Sequence, residues 1–83
     1  MNTRTKRFER MRSHPSDNWT IEDIQAICAE FGFYCIPPRS GSHYKVLSPS
    51  KTEALPIPAR RPIKPIYIKK LVAMIERHTQ KGQ

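Results

Sequence analysis

Apolar residues recur at steps of three and four along residues 18–33, which read NWTIEDIQAICAEFGF. This spacing places them on one face of a helix, and the face consists of Ile21, Ile24, Ile27, Cys28 and Phe31. Thr20 stands where an N-cap is needed, and Asp23 three residues later can complete a capping box. Gly32 occupies the position of a left-handed C-terminal cap. The pattern predicts an amphipathic helix of about 12 residues.

Three shorter runs, at 33–36, 42–47 and 54–58, have the composition or the alternation of β-strands. The third run contains Pro56, which lacks an amide hydrogen, so we expect this strand at the edge of a sheet. In the second run a period of two separates the side chains onto two faces. Tyr44 and Val46 share one face, whereas His43 and Lys45 share the other.

Two further segments carry helical spacing. Pro65 suits the first turn of a helix, and it is followed by an i, i+3, i+4, i+7 stripe formed by Ile68, Leu71, Val72 and Ile75. Near the N-terminus, Phe8 and Met11 stand three residues apart among basic residues, and Pro15 would end a helix there. A short N-terminal helix and a solvated basic arm both fit this segment.

The order of these elements predicts an α+β fold class. A helix, three strands and a second helix, with an optional helix in front, fit an antiparallel sheet whose helices cover one face. We divide the chain into a basic N-terminal extension at 1–18, a domain at 19–78 and a C-terminal tail at 79–83. On this arrangement, the predicted alternation directs His43 and Lys45 toward the open face of the sheet.

Charge adds a preference for a polyanionic partner. The 83 residues carry 15 Lys and Arg against 7 Asp and Glu, a formal net charge of +8. The basic residues concentrate between 39 and 70, where Glu53 is the one acidic residue. Such an excess in a small domain favours nucleic acid or an acidic protein surface as partner.

Composition limits the remaining function classes. A chain of this length, with 8% aromatic residues, builds one compact core and leaves no room for a deep cofactor cavity, so we expect no cofactor. No apolar run is long enough for a membrane span, and we expect a cytoplasmic protein. Cys28 and Cys35 are predicted to be reduced core residues.

His43 is the candidate catalytic residue. Gly41 before it can adopt a positive φ, and Ser42 adds a hydroxyl and an amide next to the imidazole. Imidazole titrates near neutral pH, which suits proton transfer. The candidate phosphate-binding cations around it are Arg39, Lys45, Arg60, Arg61 and Lys64. This set suits metal-free RNA cleavage through the 2′-hydroxyl, although a histidine at a strand start is also commonly only solvated.

The other chemical candidates are weaker. His14 and His78 lie in flanking segments and are expected to be solvated, and three dispersed histidines match no zinc-binding pattern. No glycine-rich phosphate loop or serine-hydrolase elbow is present. Tyr67 and Lys70, one turn apart at the start of the last helix, could extend the basic patch.

The sequence resembles the HicA family of messenger-RNA-cleaving toxins. The resemblance covers about residues 19–77 and is carried by a helix ending in Gly-Phe, then Gly41-Ser42-His43-Tyr44, then LPIPARRPIKPIYIKKLVAMI. It implies a fold like that of a double-stranded-RNA-binding domain and a ribosome-independent endoribonuclease with His43 as its catalytic residue. It also implies a HicB-type antitoxin that binds the toxin and blocks this site.

The chain departs from the family in two places. A basic segment of about 18 residues precedes the first domain helix, and the connector Ala59-Arg60-Arg61-Pro62 offers no second histidine. A single histidine would then shuttle both protons or share the task with Lys45, Tyr44 or water. Two other function classes stay open: a non-catalytic RNA-binding module, and a basic protein-interaction domain.

Overall fold

The computed structural model describes residues 5–80, which form three helices and one sheet. In chain order the elements are α1 (Lys6–Ser13), α2 (Ile21–Phe31), β1 (Tyr34–Ile36), β2 (His43–Leu47), β3 (Ala54–Pro58) and α3 (Pro65–Gln80). This order confirms the predicted α+β class. Residues 1–4 of the predicted extension and 81–83 of the predicted tail lie outside the described residues.

The sheet is antiparallel, with the strand order β1-β2-β3. β3 lies at an edge of the sheet, as predicted. Its two prolines have no N–H and could not donate hydrogen bonds to a further strand. In the register, Lys45 of β2 stands between Ile36 of β1 and Pro56 of β3. His43, two residues before Lys45 and on the same face, stands opposite Pro58.

The helices cover one face of the sheet and leave the other open. α2 packs on β1, and α3 packs on β3. Val46 and Ile57 point into the core between sheet and helices and are fully buried, whereas Lys45 and Pro56, one position away in each strand, are exposed. The predicted alternation of β2 is thus confirmed, and β3 alternates in the same way.

The ends of α2 follow from the sequence. The Asp23 N–H donates to the Thr20 hydroxyl, and the Thr20 N–H donates to the Asp23 carboxylate at 2.9 Å, which completes the capping box. Gly32 ends the helix with a φ of 75°. A left-handed residue at this position is tolerated best when it is glycine, because no Cβ meets the backbone.

α1 is packed into the domain, so the alternative of a solvated arm is wrong. Thr5 caps the helix by accepting from the Phe8 N–H at 3.1 Å. Phe8 and Met11 are at most 1% exposed, because α1 packs on α3 and the Phe8 ring lies 5.4 Å from the ring of Phe31. Arg7 of α1 also forms an ion pair with Glu30 of α2.

The two cysteines are free thiols, as predicted, with Cys28 buried and Cys35 half-buried. A hydrogen bond with the Cys35 thiol, together with burial, raises the pKa of Cys28. Within residues 5–80, no helix combines the length and the apolar character needed to cross a bilayer.

Candidate functional site

A cleft of about 290 Å³ lies where β2 begins, β3 ends and α3 starts. Its lining residues come from these three elements and their connections, and they are Ser42, His43, Pro58, Arg60, Lys64 and Tyr67. Four of the six are predicted site residues: Ser42, His43, Arg60 and Lys64. The structure therefore brings the candidate histidine together with two of the candidate cations.

Main-chain hydrogen bonds hold the basic connector in place beside the sheet. At its start, the Ala59 N–H donates to the Ser42 carbonyl at 2.8 Å. At its end, the N–H of the buried Ile63 donates to the Trp19 carbonyl at 2.8 Å. Arg60 and Lys64 directly follow these two hydrogen-bonded residues. Their backbone is therefore held in place, although their side chains are exposed.

Gly41 sets the entry of the chain into β2. Its φ is 83°, in the left-handed region that glycine adopts without steric cost. A Cβ at this position would meet no atom within 4 Å, so the requirement for glycine is conformational. Gly41 does not line the cleft, and its contribution is to direct Ser42 and His43 toward it.

His43 is exposed at the first position of β2. The predicted orientation is confirmed, because the imidazole stands on the open side of the sheet while the neighbouring Tyr44 is half-buried on the other side. An exposed imidazole beside a cleft can exchange a proton with a bound molecule without first being uncovered. Tyr44, on the opposite side of the strand, is not among the residues that line the cleft.

The cleft lining is positively charged. Arg60 and Lys64 contribute two cations, and none of the six lining residues is acidic. The N-terminus of α3 begins next to Lys64, whose carbonyl accepts from the Tyr67 N–H at 3.0 Å. A helix N-terminus carries a partial positive charge and favours anions. The arrangement suits a phosphate group held beside an imidazole.

The remaining predicted site residues lie outside the cleft. Lys45 stands on the open face of the sheet, and Arg39 is exposed in the loop that follows β1. Arg61 lies 3.4 Å from Glu22 of α2 in an ion pair whose side chains are both mostly exposed. Exposed pairs of this kind contribute little free energy and exchange readily with solvent.

Tyr67 is the cleft residue that the sequence indicated least clearly. It lines the cleft and is half-buried against the core, whereas Lys70, one turn later, faces a separate cavity beside Glu53. Helical spacing alone grouped the two residues, because i and i+3 positions are neighbours on a helix. Nothing in the sequence indicated which of the two residues would line the cleft with His43.

The two flanking histidines differ from each other. His14 is exposed, as predicted, but the prediction of a solvated His78 is wrong. The His78 side chain is 15% exposed, its Nε2 lies 2.9 Å from Oε1 of Glu53, and its ring meets Phe33 edge-on. The hydrogen bond from His78, with a further contribution from Arg77, lowers the pKa of Glu53. These contacts tie the β2–β3 turn to α3.

Within the described part of the chain, no three His, Cys, Asp or Glu side chains lie close enough to hold a metal ion. Comparison with models of protein families, with curated proteins and with solved structures found no match.

Proposed function

We propose that this protein is an endoribonuclease that cleaves messenger RNA independently of the ribosome, with His43 as its catalytic residue. One observation carries the proposal: an exposed imidazole lines the same cleft as Arg60, Lys64 and Tyr67, and the lining contains no acidic residue. The net charge of +8 and the resemblance of residues 19–77 to HicA toxins point in the same direction.

The chemistry follows from the groups in the cleft. His43 takes the proton from a ribose 2′-hydroxyl, the 2′-oxygen bonds to the adjacent phosphorus, and the bond from phosphorus to the 5′-oxygen breaks. A proton reaches the leaving 5′-oxygen from a second donor, for which the Tyr67 hydroxyl is the candidate in this cleft. Arg60 and Lys64 hold the phosphate and offset the charge that builds on it. The products are a 2′,3′-cyclic phosphate and a 5′-hydroxyl.

The resemblance extends the proposal to the protein's biological setting. We infer a toxin of a type II toxin-antitoxin system that acts in the cytoplasm, where its substrate is found. Its partner would be a HicB-type antitoxin that covers the cleft. An acidic antitoxin surface would complement the exposed Arg60 and Lys64.

The test compares strands that differ only at the 2′-position. Purified protein is incubated in chelator with a single-stranded RNA and with the fully 2′-O-methylated strand of the same sequence. We expect cleavage of the RNA alone, with cyclic phosphate ends detected by mass spectrometry. Cleavage of the methylated strand, or products with a 5′-phosphate, would contradict the mechanism. Binding of both strands without cleavage would assign the chain to non-catalytic RNA-binding modules.

A further inference from the structure

The open face of the sheet carries exposed apolar side chains that the core does not use. Tyr34 is 45% exposed and Ile36 is 43% exposed, and both belong to β1. Register places them in rows across the sheet: Tyr34 pairs with Leu47, and Ile36 pairs with Lys45. The third strand completes these rows with Ala54 and Pro56, and His43 with Pro58 forms the next row.

This face has the charge pattern of a surface for a polyanion. Lys45 stands in its middle row, and the Nζ of Lys51 lies 5.1 Å from the centre of the Tyr34 ring. None of the three strands contains an acidic residue, and Glu53, which directly precedes β3, is held by Arg77 and His78 of α3. A face that combines an aromatic ring, aliphatic side chains and lysines complements nucleic acid bases and phosphates together.

The spacing also fits an extended strand. Successive rows on one face of a sheet are about 6.7 Å apart, because side chains on that face alternate every two residues. This distance is close to the length of one extended nucleotide. The rows run from Tyr34, through Ile36 and Lys45, to His43, which lines the catalytic cleft. A strand following them would present its phosphates to the cleft.

We propose that the open face of the sheet binds single-stranded RNA, with one base stacked on Tyr34 and the strand leading along the rows to the cleft. The direction of the RNA strand toward the cleft rests on the proposed function. Single strands are favoured over duplexes, because a base stacks on a flat aromatic side chain only when it is free of its own helix. A base stacked on this ring would displace the Nζ of Lys51, which would then be available to a phosphate.

Anisotropy of labelled oligonucleotides tests this proposal without requiring cleavage. The probe is a fluorescein-labelled 12-nucleotide single strand that is fully 2′-O-methylated, with the matching duplex as second probe. Tyr34→Leu removes the aromatic face but keeps an apolar side chain, and we expect it to weaken single-strand binding roughly tenfold. Tyr34→Phe keeps the ring and should bind like wild type. Ile66→Ala is the matched control, since Ile66 is 52% exposed on α3 outside this face.

Three results would overturn the proposal: wild-type affinity in Tyr34→Leu, equal losses in Ile66→Ala, or tighter binding of the duplex than of the single strand. If Tyr34→Leu retains oligonucleotide affinity and instead releases a co-purifying protein, the face is a protein-docking surface and the proposal fails. Circular dichroism confirms that each variant is folded. If the wild type binds the methylated strand through Tyr34 but cleaves no RNA, the catalytic function fails and the binding face stands.

Discussion

His43 is exposed because the alternation of β2 places it on the open face of the sheet, and two cations lie near it because the connector between β3 and α3 passes beside it. Neither property alone suggests catalysis, since many surface histidines are only solvated. Together with Arg60, Lys64 and Tyr67 in one cleft, the imidazole gains neighbours that can bind the group on which it would act. At the scale of single residues, the proposed role of His43 therefore depends on which side chains line the cleft.

Arg60 and Arg61 provide a matched pair of neighbouring cations. Arg60 lines the cleft, whereas Arg61 faces Glu22. We expect Arg60→Gln to slow RNA cleavage about tenfold or more, because the proposed mechanism uses this charge to stabilise the transition state. Arg61→Gln should change the rate by less than about threefold, because an exposed pair contributes little. Initial rates on one RNA substrate check both, and equal losses would contradict the assignment of the cleft.

Gly41 offers a test of backbone conformation. Its φ of 83° costs an L-residue with a Cβ about 1–2 kcal/mol, although the space around it is open. We expect Gly41→Ala to lower the free energy of unfolding by about 1 kcal/mol. Gly41→Asn should lose less, because asparagine tolerates the left-handed region. Urea denaturation measures both variants, and a larger loss for Asn than for Ala would show that sterics, not φ, govern this position.

At the scale of elements, α1 is a structural part of the domain. Its apolar side, Phe8 and Met11, lies in the core with α3, and its capping residue Thr5 also donates to the Glu30 carboxylate of α2 at 2.8 Å. The spacing of Phe8 and Met11 predicted a helix, but two apolar positions could not show whether a partner surface existed. That surface is formed by residues of α2 and α3, so the spacing within α1 could not reveal it.

Truncating the apolar side of α1 should therefore destabilise the whole domain. We expect Phe8→Ala to cost about 3–5 kcal/mol, since the ring is fully buried. Arg12→Ala, an exposed change on the same helix, should cost less than about 0.5 kcal/mol. Thermal or urea unfolding distinguishes the two, and similar stabilities for both variants would show that α1 is dispensable.

The tie between the β2–β3 turn and α3 should make stability depend on pH. The pKa of Glu53 is below its ordinary value of 4.5, so in acid the unfolded chain binds a proton more readily than the folded chain. The stabilisation that the ionised Glu53 contributes is present above pH 4.5, and it is lost as the pH falls through the pKa of Glu53 in the folded protein. Glu53→Gln removes the titrating group.

We therefore expect Glu53→Gln to be less stable than wild type at pH 7, with the difference narrowing as the pH falls below about 4.5. Glu22→Gln, which alters the exposed pair with Arg61, should stay close to wild type in stability at pH 7, because an exposed pair contributes little free energy. Unfolding midpoints between pH 7 and pH 3 supply the comparison. A wild-type advantage over Glu53→Gln that stays constant across this range would contradict the role of the carboxylate.

At the scale of the whole molecule, local sequence patterns predicted the helices and strands. Contacts between residues distant in sequence determine which side chains line the cleft. The capping box of α2, the alternation of β2 and the edge position of β3 each depend on residues close in sequence, and each was predictable. The pairing of Arg61 with Glu22 and of His78 with Glu53 joins residues 39 and 25 positions apart. No periodicity encodes such pairs, so the sequence could show neither which of the predicted cations line the cleft nor that His78 is buried.

The catalytic role of His43 is the central claim, and the rate of RNA cleavage in chelator tests it most directly. The measurement compares wild type, His43→Ala and the matched control His14→Ala, whose histidine is exposed outside the cleft. We predict a loss of at least about 100-fold for His43→Ala and less than about twofold for His14→Ala, with unchanged circular dichroism in both. Cleavage by folded His43→Ala at the wild-type rate would contradict the account.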